Sequence, residues 1–171
     1  LKRISRFVGG LTVLVALMGV GIVLYSESRA SRLRAAADET DRTRVLAIQI
    51  YAFGLQLGQA TRNIVLDPSD GRAVTNHVKA LSDLRRAMDE LRSLVPPSIR
   101  GNFEKLEKQI AADVAEQQAI HELAKQGQVP AAIQALAKRE TPLWRECKES
   151  IFNMQDSSEQ SSQRVRTEWA S

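Results

Sequence analysis

Apolar residues along the chain fall into one uninterrupted run and then four segments with helical spacing. The run is residues 7–26, FVGGLTVLVALMGVGIVLYS, and it contains no charged side chain. At about 1.5 Å per residue such a run reaches roughly 30 Å, the thickness of a bilayer's hydrocarbon core. It is longer than the apolar core of a cleaved signal peptide, and no small-residue cleavage pattern comes after it. The chain passes instead into SESRASRLRAAADE, which lacks Gly and Pro. The expectation is a retained transmembrane helix, with residues 1–6 cytoplasmic and Lys2, Arg3 and Arg6 setting the orientation.

Beyond the run, turn-forming residues are clustered. Asp67-Pro68-Ser69-Asp70-Gly71, Pro96-Pro97-Ser98 and Gly127-Gln128-Val129-Pro130 divide residues 27–171 into helices of about 27–67, 71–95, 98–126 and 130–171. Apolar residues recur in steps of three and four in each. The first helix shows Leu46, Ile50, Phe53, Leu57, Ala60 and Ile64; the second shows Val74, His77, Leu81, Leu84, Met88, Leu91 and Val95. The third shows Phe103, Leu106, Ile110, Val114, Gln117, His121 and Ala124, and the fourth Ile133, Leu136, Trp144, Cys147, Ile151, Met154 and Val165. Short connections between such helices force antiparallel neighbours. The predicted fold is therefore all-α: an N-terminal transmembrane helix continuing into an antiparallel, up-down-up-down four-helix bundle at 27–171.

The middle helices are shorter than the outer two, so the double-proline corner falls partway down and the outer pair continues alone toward the membrane. The outer pair's membrane-near stretches, SESRASRLRAAADETDR and QDSSEQSSQ, have no apolar seam. Pro142 interrupts the fourth helix, either kinking it or starting a separate helix at Thr141; one kinked helix keeps the lengths matched. The first helix carries a second, mostly small stripe (Ala47, Tyr51, Gly54, Gly58, Thr61, Val65) and a third side with Ile48, Leu55, Arg62 and Leu66. That exceeds what one bundle core needs, and it predicts a homodimer through this helix unless helices of the same chain cover it.

Composition narrows the function. Lys and Arg total 24 against 20 acids, a net charge of +4, and Lys2, Arg3 and Arg6 supply three of those charges. Elsewhere basic and acidic residues alternate, as on a solvated face, and no nucleic-acid partner is expected. One Cys and two His leave no internal disulfide and no zinc set. Catalytic motifs are absent, so neither an enzyme nor a cofactor is expected. The missing initiator Met and the ending RVRTEWAS, with Trp169 as an interfacial aromatic, suit a fragment cut before a second span.

Candidate binding residues lie near the distal turns. Arg62 sits about five residues below the first turn, where its guanidinium fork suits a carboxylate or serves a salt bridge. Asn63 offers an amide or caps the turn. Thr141, Trp144 and Arg145 flank the proline, where an indole beside a cation walls a pocket or fills the core. His77, His121 and Cys147 occupy seam positions and read as core residues, with no metal expected.

The segment Ala60-Thr61-Arg62-Asn63-Ile64-Val65-Leu66-Asp67 resembles the Arg-Asn-hydrophobic stretch of four-helix-bundle sensor domains in bacterial methyl-accepting chemotaxis receptors. Gly127, Ala131-Ala132, Leu136 and Pro142-Leu143-Trp144-Arg145 are similar to the opening of that family's fourth helix. The resemblance implies a dimer in the bacterial inner membrane with its bundle outside, a small molecule bound near the distal end, and a cytoplasmic output domain. With Arg62 alone well placed, the expected ligand is an organic anion or an amino acid. Similar bundles serve histidine kinases and diguanylate cyclases. A rival of another class is a membrane-tethered adaptor that binds a protein and no small molecule.

Overall fold

The computed structural model describes the backbone of residues 2–170 and the side chains of residues 24–160 other than 33 and 36, with those of 163, 164 and 167. The side chains of residues 7–23, on which the transmembrane expectation rests, lie outside this set. Among the described residues no helix is long and apolar enough to cross a membrane. The chain forms two compact units, Leu1–Asp38 and Glu39–Ser171. The first is helical, and its Leu24 and Tyr25 are exposed.

The protein is all-helical, with no strand among the described residues, and its helices follow the turns read from the sequence. Helix α1 runs Lys2–Leu66, α2 Gly71–Leu94 and α3 Arg100–Lys125. The fourth rod comprises α4 (Val129–Ala135), a π turn (Leu136–Glu140) and α5 (Thr141–Ala170). Helix α1 stops where Pro68 denies the ladder a donor. Asp67 Oδ1 then accepts from Ser69 N (3.0 Å) and Ser69 Oγ (2.6 Å), and Asp70 caps α2 by accepting from Arg72 N at 2.8 Å. Val95, held extended by the proline after it, ends α2, and Pro97–Ile99 form one tight turn into α3. Gly127 closes α3 at φ +74, with its N–H on Ala124 O (3.0 Å) and Gln128 N on Leu123 O (2.9 Å). That left-handed C-terminal cap favours glycine, because a Cβ is strained in this conformation.

Within Glu39–Ser171 the buried side chains form a large apolar cluster and a small one. The large cluster joins Leu46, Ile50 and Leu57 of α1 to Leu84 and Leu91 of α2, Phe103 and Leu106 of α3, and Ile151 and Met154 of α5. Val95 and Ile99 of the proline corner belong to it, and Asn102 reaches Ser157 (3.3 Å) beside that corner. The small cluster holds Val65, Ile120, Ala124, Ala132 and Ala135. Each leucine-sized side chain buried contributes about 1.5–3 kcal/mol against exposure.

A π turn precedes Pro142, and α5 begins directly after that turn, at Thr141, with the rod helical throughout. The π turn absorbs the proline: Leu136 O accepts both the Thr141 N–H and, at 2.9 Å, the Thr141 hydroxyl. The wider turn lets the rod pass a residue that has no N–H to give. The extra residue also shifts the buried face. Ala132 and Ala135 point inward, and Ile133, on the expected seam, is exposed, because the step from Ala135 to buried Glu140 is five residues.

The small stripe on α1 is covered within the chain and is not free for a second copy. The Trp144 ring lies on Gly54, where a Cβ would sit 1.9 Å from it, and Glu140 lies over Gly58. Trp144 also stacks on Tyr51 at 6.0 Å, and Tyr51 touches Phe152. The third side remains open: Val45, Ile48 and Leu55 are 53%, 52% and 45% exposed.

Gly54→Ala is expected to lose about 1–3 kcal/mol of stability through overpacking against the indole. Adding Trp144→Leu to that variant should recover part of the loss. Urea denaturation of the two single variants and the double variant checks this: strictly additive effects would contradict a direct contact.

Candidate functional site

A buried polar layer separates the two apolar clusters. On α3 the three-and-four repeat that places Leu106, Gln117 and Ile120 inside also lands on Asp113, a charged residue in a core position. Thr61 on α1 and His77 on α2 face it, and Glu140 enters from the π turn. Thr61 is 0% exposed, Gln117 1%, Glu140 2%, Asp113 3% and His77 6%. Groups so deeply buried need partners, since an unpaired one costs about 1–3 kcal/mol or more.

Most of them find partners in one connected network. His77 Nε2 lies 3.2 Å and Thr61 Oγ1 3.3 Å from Gln117 Oε1. His121 Nε2 lies 3.1 Å from Thr61 Oγ1, and Gln117 Nε2 donates to Asp113 Oδ2 at 2.8 Å. The proton count fixes the directions. Gln117 Oε1 only accepts, so the single hydroxyl proton of Thr61 goes to it, and His121 donates to Thr61 from Nε2. His77 likewise donates from Nε2. The chain of donors thus ends on Asp113, whose other oxygen, Oδ1, is buried without a hydrogen-bond partner among the described residues.

Burial sets the ionisation of the layer. Burial and the neighbouring His77 hold His121 far below the usual imidazole value, at about 4, and burial lowers His77. Their rings meet edge to face at 4.4 Å. Burial, with the Glu140 carboxylate beside it, pushes Asp113 up to about 7, and burial raises Glu140 as well. Cys147, buried near both carboxyls, is pushed up to about 12, so its thiol stays protonated and is a poor nucleophile. Among the described residues no three His, Cys, Asp or Glu side chains converge to hold a metal ion.

The structure divides the candidate set. Arg62 is exposed, and its guanidinium and Glu140 both lie above Gly58: a Cβ there would be 3.7 Å from Arg62 Nη1 and 3.4 Å from Glu140 Oε1. Thr141 lies 3.2 Å from Glu140 Oε2. Trp144 covers Gly54, one turn along α1 from Gly58. Arg62, Thr141 and Trp144 therefore lie along one α1–fourth-rod seam. Arg145 is exposed. Asn63, about 100° further round α1, accepts from Gln59 and lines a cleft of about 290 Å³ with Asn76 and Lys79 of α2. His77 and His121 line a third space, a groove of about 520 Å³ with Val74 and Lys125.

The sequence reading missed Asp113 and Glu140 because it took charged residues on a helix as solvated. The available signal was positional: continuing the α3 spacing through Gln117 reaches Asp113. No family model, curated protein or solved structure matches the chain.

The histidines predict acid sensitivity. Their folded values are depressed, so the stability they contribute is complete above the unfolded value near 6.5 and is lost as pH falls toward about 4. His121→Gln should show a smaller loss of melting temperature than the parent between pH 6.5 and 4. Equal losses in thermal scans would exclude His121 as the titrating group.

Proposed function

We propose that this chain is the extracytoplasmic ligand-sensing part of a transmembrane receptor of the chemoreceptor type, anchored in the bacterial inner membrane through residues 7–26. On this reading Glu39–Ser171 is an antiparallel, up-down-up-down four-helix bundle. Two contacts support that arrangement: Arg42 of α1 pairs with Glu90 near the end of α2 (2.8 Å), while Thr61 and His77 meet on Gln117. The observation that carries the proposal is the meeting of Arg62 on α1 with the π turn of the fourth rod. An organic anion or amino acid bound at Arg62, with Thr141, Trp144 and Arg145 opposite, touches both rods at once. Its preference for one arrangement biases their relative position by about 1–2 Å. On this reading the shift at Arg62 is a shift of α1, the helix that carries the proposed anchor.

The dimer belongs to the same proposal but uses a different face from the small stripe. Val45, Ile48, Ala52 and Leu55 are spaced by three and four residues on the open side of α1, as in a coiled-coil seam. That exposed face equally favours the second reading, a membrane-tethered adaptor for a protein partner, in which no small molecule acts.

A thermal-shift panel of organic acids and amino acids on the full chain in detergent separates the two. A sensor gains melting temperature with ligand concentration, and Arg62→Ala abolishes the gain while the chain stays helical. A hit whose affinity is unchanged by Arg62→Ala removes the assigned site; a panel without hits favours the adaptor. For the dimer, Leu55→Glu should convert the sedimenting species to monomer. A parent chain that is already monomeric at high concentration contradicts the α1 interface.

A further inference from the structure

The buried carboxyls of Asp113 and Glu140 have no assigned role in ligand sensing, and the hydrogen bonds around them match a charge poorly, above all on Asp113. Thr141 has one hydroxyl proton, shared between Leu136 O at 2.9 Å and Glu140 Oε2 at 3.2 Å, so a Glu140 carboxylate receives only a long, divided hydrogen bond from it. On Asp113, Oδ2 is used by Gln117 and Oδ1 has no partner among the described residues, so an ionised Asp113 leaves charge on a buried, unpaired oxygen. Burial favours the neutral acid at both positions, most strongly at Asp113, where a Glu140 charge adds to the effect.

The groups facing the pair come from each element around it. From α1 comes Arg62, whose charge favours ionised Glu140, and from α2 His77 acts through Gln117. From α3 comes Glu116, which Arg139 of the π turn approaches at 3.0 Å, and from α5 Cys147. Of the cations, Arg139 is engaged with Glu116, whereas Arg62 forms no ion pair among the described residues. Glu140 Oε1 and Arg62 Nη1 already share the space above Gly58, where no side chain intervenes.

We propose that the Asp113–Glu140 pair is a proton-binding site coupled to the π turn. While it holds its proton, Glu140 stays inside against Thr141. When the proton leaves to solvent, the Glu140 carboxylate swings across Gly58 onto the Arg62 guanidinium and the π turn loosens. This inference goes beyond the sensor reading and needs neither ligand nor partner.

The test uses the full chain in detergent with carboxyl carbons of Asp labelled for NMR, and Trp169→Phe so that Trp144, four residues after Glu140, is the sole indole. One Asp carboxyl should titrate with a midpoint near neutrality, and Trp144 emission should change over the same range. Asp113→Asn should remove both changes; Arg62→Gln should move the midpoint upward. In thermal scans Asp113→Asn should gain on the parent as pH rises from about 4 through 7, because the raised carboxyl destabilises the fold progressively across that range. The difference between variants is the quantity to read, since the histidines act in the opposite sense over part of it. Titration of every Asp carboxyl below about pH 5 overturns the proposal, and that measurement needs only native Asp113. So does a Trp144 transition that persists in Asp113→Asn and disappears in His77→Gln.

Discussion

The constraint on which this structure depends is that a layer of polar side chains sits in the middle of an otherwise apolar core. Thr61, His77, Asp113, Gln117 and Glu140 are nearly inaccessible to water, and each must find its hydrogen bonds inside. Three of them do so across elements: Gln117 of α3 joins Thr61 of α1 to His77 of α2 and hands on to Asp113. Apolar packing alone would tolerate sliding of one helix past another by a turn. A shared amide does not, because sliding leaves several buried groups unpaired at once.

The same constraint accounts for the fourth rod. A regular α-helix through Pro142 would direct its ring at the carbonyl of Lys138 and lose a ladder bond. The π turn avoids the clash, re-phases the rod so that Ala132 and Ala135 face the small cluster, and delivers Glu140 to the polar layer. Small residues on α1 complete the fit. Gly54 lets the Trp144 ring rest on the backbone, and Gly58 leaves room for Glu140 and Arg62 above it. A stripe suited to close approach is thus used by the chain's own aromatic and acidic side chains.

Placement also separates what is structural from what is available. His77 and His121 are tied into the layer and held neutral by burial, while Arg62, one turn along α1 from Gly58, stands at its edge in water. The layer is thus buried in its middle, with a cation exposed at its rim.

From the sequence alone the helices, their turns and most of the large apolar cluster were legible. Proline, glycine and three-and-four spacing act locally, over one or two turns, and they depend little on what packs against them. Leu46, Ile50, Leu84, Leu106 and Ile151 come directly from that spacing. The tertiary structure alone decided which face of α1 meets the fourth rod, that the proline is absorbed by a π turn, and that Asp113 and Glu140 are buried. A charged residue on a helix is read as solvated until neighbouring helices close over it. One extra residue in a turn rotates the helix before it by about 100° relative to the helix after it. Both effects arise between elements distant in sequence, beyond the reach of local spacing.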